Sequence, residues 1–257
     1  MTPEHAAAYF LHPRRTDTGP STLASLPEAT PFSFLHRESR LRGHIVGNAP
    51  KTVLLVHGWE SRAAHLQGFL LALRRAGFRV AAFDGPAHGE SDGEQGHVAE
   101  MGKAVLAARE AIGKVDAVIA HSAGSPAALY AMTRGLQVEA SVHIAGPASF
   151  ERVLQRFAAA CGLDDQGFLR FRGLVHEALG IDPRVLEEEA IAHGLSHPAL
   201  LIHDEGDKEV PFEESRRLHA RWPGSELLPV SGLGHRRIVQ DPGVIRQAVA
   251  FLQQKLQ

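Results

Sequence analysis

The chain has 257 residues, 44% hydrophobic and 22% charged, with a formal net charge of −2. That length suits one large α/β domain, and with Arg74-Arg75, Arg216-Arg217 and Arg236-Arg237 scattered there is no electrostatic case for nucleic acid or an anionic membrane. Cys161 is the only cysteine, which rules out an intrachain disulfide; no signal peptide or membrane-length apolar run is evident, so a cytoplasmic location is expected.

Residues 1 to about 30 carry Pro3, Pro13, Pro20 and Pro27, with Pro31 just beyond, which break any long element, and read as an arm without an assigned role. Two strands follow, Phe32–Glu38 and Arg42–Val46, as an antiparallel edge hairpin. The apolar run Thr52–His57 reads as a central strand, and Leu66, Phe69, Leu70 and Leu73 give the following helix (63–76) one apolar face. A strand at 79–84 leads into a turn-rich loop, Gly85 to Gly93, and a helix over 98–112. Val115 to Ala120 is a short β-branched run typical of a buried parallel strand, and a helix follows with almost no connection. A strand at 139–145 comes next, and residues 149–195 carry only helical patterning. Within them Phe150, Val153, Leu154 and Phe157 make one stripe and Phe168, Phe171, Val175 and Leu179 another, while Asp182-Pro183 opens a third helix. Strands at 198–203 and 225–230 alternate with helices at 213–222 and 243–256.

This alternation predicts a mostly parallel sheet with helices on both faces, interrupted by a helical insertion. In such sheets ligands bind at the carboxyl ends of the strands, so the residues just past each strand matter most. Between the strand ending at Ala120 and its helix the chain must turn at Ser122, flanked by Ala120 and Gly124, with Pro126 fitting the first helical turn. A serine there projects its Oγ above the sheet, beside a helix N-terminus. Taken alone, Ala120-His121-Ser122-Ala123-Gly124 also suits a turn with a capping serine. The context is what lifts it. A serine hydroxyl needs a base to become a nucleophile, and the base needs a carboxylate. His235 follows the last strand in Ser231-Gly-Leu-Gly-His235, and Asp207 follows the preceding one, with Asp204 competing on the same loop.

The order Ser122, Asp207, His235 and the elbow, one alanine away from G-x-S-x-G, resemble an α/β-hydrolase fold protein from about residue 50 to the C-terminus. His57-Gly58-Trp59 is similar to the family's oxyanion loop, and Asp84 to Ser91 to its aspartate–proline–glycine loop. The resemblance implies a mostly parallel sheet of about eight strands flanked by helices across residues 31–257, with a helical cap at about 147–196. It also implies a serine hydrolase that cleaves a carboxylic ester or thioester of a small or medium acyl group. In that reading Ser122, Asp207 and His235 are catalytic, and the backbone N–H groups of Trp59 and Ala123 hold the oxyanion. Trp59, Phe150 and Phe168 are candidate substrate contacts, or plain core. His57 and His88 hold loops together, and His121 packs under the elbow. A serine nucleophile excludes the family's dehalogenases and epoxide hydrolases, which use aspartate. The same triad acting on amides, in acyl transfer or as a cofactor-free haloperoxidase, and a non-catalytic ligand-binding protein, remain alternatives. No metal or cofactor is expected, and the expected partner is a small-molecule acyl substrate.

Overall fold

The computed structural model describes residues 1–15, 21–26 and 28–256. Eight strands form one sheet: β1 (Ala29–His36), β2 (Ser39–Val46), β3 (Thr52–Val56), β4 (Arg79–Phe83), β5 (Ala117–His121), β6 (Ala140–Ile144), β7 (Ala199–Asp204) and β8 (Ser225–Val230). Their order is β1-β2-β4-β3-β5-β6-β7-β8. The β1–β2 and β2–β4 pairs are antiparallel and all other pairs parallel. The hairpin strands begin three residues earlier than the hydrophobic pattern suggests. Pro31 lies inside β1, which an edge strand tolerates because the missing N–H faces no partner strand.

Strand alternation sorts the core into two layers. Val53 and Leu55 of β3, with Val80 and Ala82 of β4, point to one face. There they meet Phe69, Leu70 and Leu73 of α2 (Gln67–Arg75) and Val244, Ala248 and Leu252 of the last helix (Pro242–Lys255). Leu54, Val56, Ala81 and Phe83 point to the other face. They pack on Ala104, Val105 and Ala108 of α3 (Val98–Ile112) and on Ala128 and Ala131 of α4 (Gly124–Thr133). All five residues of β3, of β5 and of β6 are buried, as strands covered on both faces must be.

Between β6 and β7 the chain is helical. α5 (Phe150–Ala160) starts at the Ser149 N-cap, and α6 (Asp165–Leu179) at the Asp164 N-cap. The third helix expected from Asp182-Pro183 is instead a 3₁₀ turn, Pro183–Leu186. The extended backbone of Glu187 (φ −90°, ψ 155°) separates it from a single turn, α7 (Glu188–Ile191). The N-terminal segment departs most from its sequence reading. Pro3 does not break an element but begins one: Thr2 caps α1 (Pro3–Leu11), and proline at N1 costs no hydrogen bond. This helix packs against α6, joining Ala6, Ala7 and Leu11 to Phe171 and Val175 in a third apolar cluster. Pro20 and Pro27 lie outside the described residues. No helix among the described residues is long and apolar enough to cross a membrane.

Candidate active site

The centre of the site is the turn at Ser122. Its φ of +51° is left-handed, a conformation that costs a non-glycine residue energy and that the surrounding chain must enforce. The enforcement is steric and hydrogen-bonded. The Ser122 N–H donates to Ile144 O (2.9 Å), and the Ser125 N–H donates to Ser122 O (2.9 Å). A Cβ on Gly124 would sit 2.5 Å from the carbonyl oxygens of Val56 and His57, so only glycine lets α4 start this close to β3. A Cβ on Gly58 would lie 2.8 Å from Ser122 Cβ, so the 57–59 loop runs directly against the turn. Ala120, by contrast, is accommodated with no exposed surface, which is why alanine suffices at the first small position.

Three elements converge on this turn. Ser122 Oγ is 2.8 Å from His235 Nε2, and His235 Nδ1 is 2.7 Å from Asp207 Oδ2. With Nδ1 donating to the carboxylate, Nε2 is the acceptor for the serine proton. Asp207 Oδ1 also accepts from the N–H groups of Glu209 (2.8 Å) and Val210 (3.0 Å). Burial alone would raise its carboxyl pKa, but hydrogen bonds from His203 and His235 outweigh this and hold it well below the usual carboxylate range. The rival, Asp204, is turned to another task. Its Oδ2 accepts from Leu233 N (2.6 Å) and its Oδ1 from Gly206 N (2.8 Å), pinning the loop that carries His235 to the end of β7.

The other histidines near the centre are braces. His57 Nδ1 donates to Gly58 O (2.7 Å) while Nε2 accepts from Gly85 N (2.8 Å). His88 Nδ1 donates to Pro86 O (2.8 Å) and Nε2 accepts from Glu60 N (3.1 Å). A ring that must accept at one nitrogen cannot take a second proton without losing that bond. Burial acts the same way, lowering the pKa of His57 to about 4 and of His88 to about 3. His121 Nε2 donates to His235 O (2.9 Å) beneath the elbow, and burial lowers its pKa to about 3. Asp84 anchors the 85–93 loop by accepting from Ala63 N (2.7 Å) and Glu90 N (2.8 Å). His193 and His197 are spaced like metal ligands in the sequence, yet His197 Nε2 lies 3.0 Å from Ser141 Oγ. Among the described residues no group of three His, Cys, Asp or Glu side chains is placed to hold a metal ion.

Two cavities meet at Ser122. The larger, about 710 Å³, is walled by Trp59, Phe150, Val153 and Phe157, with Tyr9 and Phe10 from α1. The smaller, about 320 Å³, is lined by Ser61, His65, His121, His235, Val239 and Gln240. Trp59 borders both. Of the two phenylalanines that the sequence offers as substrate contacts or plain core, Phe150 lines the larger cavity and Phe168 lines neither. Its ring packs in the α1–α6 cluster with the Arg172 guanidinium 5.5 Å above it. Sequence reading missed α1 altogether. Thr2 followed by Pro3 and Glu4 is a helix start, and Ala6, Phe10 and Leu11 follow at helical spacing.

Sheet order, elbow and insertion together define an α/β-hydrolase. The chain belongs to the family described as serine aminopeptidase, S33, whose model matches residues 47–187, over half its length, and this makes it a serine hydrolase. No curated protein matches the sequence. Among solved structures it is similar to the esterase Pf2001 of Pyrococcus furiosus, with 20% identity, TM-score 0.74, and coverage of 96% of this chain and 99% of that one. It is also similar to mouse alpha/beta hydrolase domain-containing protein 10 (17% identity, TM-score 0.71, 89% and 98% covered). A third is Est1E from Butyrivibrio proteoclasticus, solved with ferulic acid bound (17% identity, TM-score 0.68, 88% and 99% covered). At these identities the likeness is one of fold.

Proposed function

We propose that the protein hydrolyses a carboxylic ester or thioester through an acyl-enzyme on Ser122. The observation that carries this is the unbroken run of two short hydrogen bonds from Ser122 Oγ through His235 to Asp207. Ser122 Oγ bonds to the substrate carbonyl carbon while its proton passes to His235 Nε2, and Asp207 stabilises the imidazolium. The carbonyl oxygen becomes an oxyanion, and the N–H groups of Ala123, at the start of α4, and of Trp59 are assigned to hold it. Collapse of that intermediate breaks the bond to the leaving oxygen or sulfur, which takes the proton from His235. Water then attacks the acyl-enzyme by the same steps and frees the acid. Residues 147–196 act as the cap over this chemistry, and the lone Cys161 suits a reducing cytoplasm.

The family's description favours a second reading, release of an N-terminal residue from a peptide. That substrate brings an α-ammonium, which calls for a carboxylate in the pocket. Among the described residues, the two carboxylates on the cavity walls already face guanidinium groups: Glu60 forms a two-pronged pair with Arg14 (2.8 and 2.7 Å), and Glu209 one with Arg236 (3.0 and 3.3 Å). This favours esters. Rates on p-nitrophenyl alkanoates and aminoacyl p-nitroanilides, each against Ser122→Ala, test it. Ester turnover that the substitution abolishes is expected, and anilide turnover exceeding it would install the peptidase reading instead.

A further inference from the structure

His235 lines the smaller cavity and not the larger one. In the second half of acylation His235 Nε2 must hand its proton to the leaving oxygen, so that oxygen and the group attached to it lie on the His235 side of Ser122. The acyl chain, on the opposite side of the carbonyl carbon, then extends into the larger, aromatic-walled cavity. We infer that the acyl group of the substrate occupies the 710 Å³ cavity and that Phe10, on the N-terminal helix outside the family-matched segment, sets the length of chain it accepts. This rests on the serine hydrolase reading above and names which part of the substrate each cavity takes.

Phe10 is held firmly enough to act as a wall. Its ring centroid is 5.1 Å from that of Phe157, 5.8 Å from Phe171 and 6.1 Å from Phe150, all edge-to-face, and it stacks on Trp59 at 6.5 Å. The helix bearing it is tied down on three sides. Leu11 O accepts from Gly96 N (2.9 Å), Glu4 pairs with Arg170 of α6 (3.0 Å), and Arg14 pairs with Glu60 in the loop that carries Trp59. A chain entering from Ser122 therefore meets a fixed ring, flanked by the half-exposed Tyr9 at the rim.

Isomeric esters separate the two sides of the scissile bond: methyl alkanoates lengthen the acyl side, and alkyl acetates of the same formula lengthen the alcohol side. Wild type is expected to cleave methyl octanoate faster than heptyl acetate. Phe10→Ala should raise the octanoate-to-butanoate ratio of kcat/KM by roughly tenfold, since each added methylene that finds apolar surface gains about fourfold. Phe10→Trp should lower that ratio, and the profile across alkyl acetates should keep its shape in both. Two results would overturn the inference while leaving the serine chemistry intact: ratios unmoved by both substitutions, or substitutions that reshape the acetate series instead. Failure of wild type to exceed Ser122→Ala on every ester would sink the underlying reading as well.

Discussion

His203 Nε2 lies 3.4 Å from Asp207 Oδ2, the same oxygen that accepts from His235. His203 has no exposed surface; Nε2 also donates to Val210 O (2.9 Å), and Nδ1 meets Ser215 Oγ at 2.7 Å. Because both neighbours of Nε2 are pure acceptors, that nitrogen must carry the hydrogen. Asp207 is thus clasped between two imidazoles, one turned to the serine and one to the core.

Removing the inner clasp leaves the charge of Asp207 resting more fully on His235. The carboxylate can then turn, and the imidazole loses part of the orientation that aims Nε2 at Ser122 Oγ. His203→Leu should cost roughly tenfold in kcat with KM little changed, and His203→Gln, which keeps an N–H donor, should recover much of that loss. An unchanged kcat in a folded His203→Leu protein would reduce His203 to packing.

Asp207 and Asp204 should separate cleanly in kinetics. Asp207→Asn removes the charge that holds the imidazole, and a loss on the order of 10⁴ in kcat is expected with the fold retained. Asp204→Ala frees the Leu233 amide and loosens the loop before His235, which should cost about one to two orders of magnitude in kcat and lower the melting temperature by several degrees. Equal activity losses would mean that the carboxylates act together.

Acid should destabilise the fold through its buried histidines. Burial lowers the pKa of His57 to about 4 and those of His88, His121 and His143 to about 3, whereas the unfolded value is about 6.5. Between those limits the unfolded chain binds protons that the native one refuses, so stability falls as pH drops below about 6.5. Each histidine contributes on the order of 1 kcal/mol per pH unit. Thermal melting should be flat from pH 7 to 8 and fall steeply from pH 6.5 to 5; a melting temperature constant over that range would contradict the assignment of these rings as neutral.

The sheet and its elbow were legible in the sequence because their signals are local. A buried strand is a short apolar run, and a turn crowded by β3 demands glycine at 124. Ser122, Asp207 and His235 could be placed because each follows a strand, and strand ends share one rim. The substrate side was harder to read, since cavity walls come from residues far apart in the chain. Phe10 meets Phe157 and Trp59 only after α1 docks on α6. Nothing within the Phe168 stripe shows that Phe171 turns to the core while Phe168 packs away from the cavity.

The proposed chemistry requires Ser122 to be an activated nucleophile, and a fluorophosphonate reports on that directly. Incubated with the folded protein and followed by peptide mass spectrometry, it should leave one covalent adduct, on the peptide containing Ser122, and markedly less after His235→Ala. A folded protein whose Ser122 stays unmodified under conditions that label a known serine esterase would contradict the account.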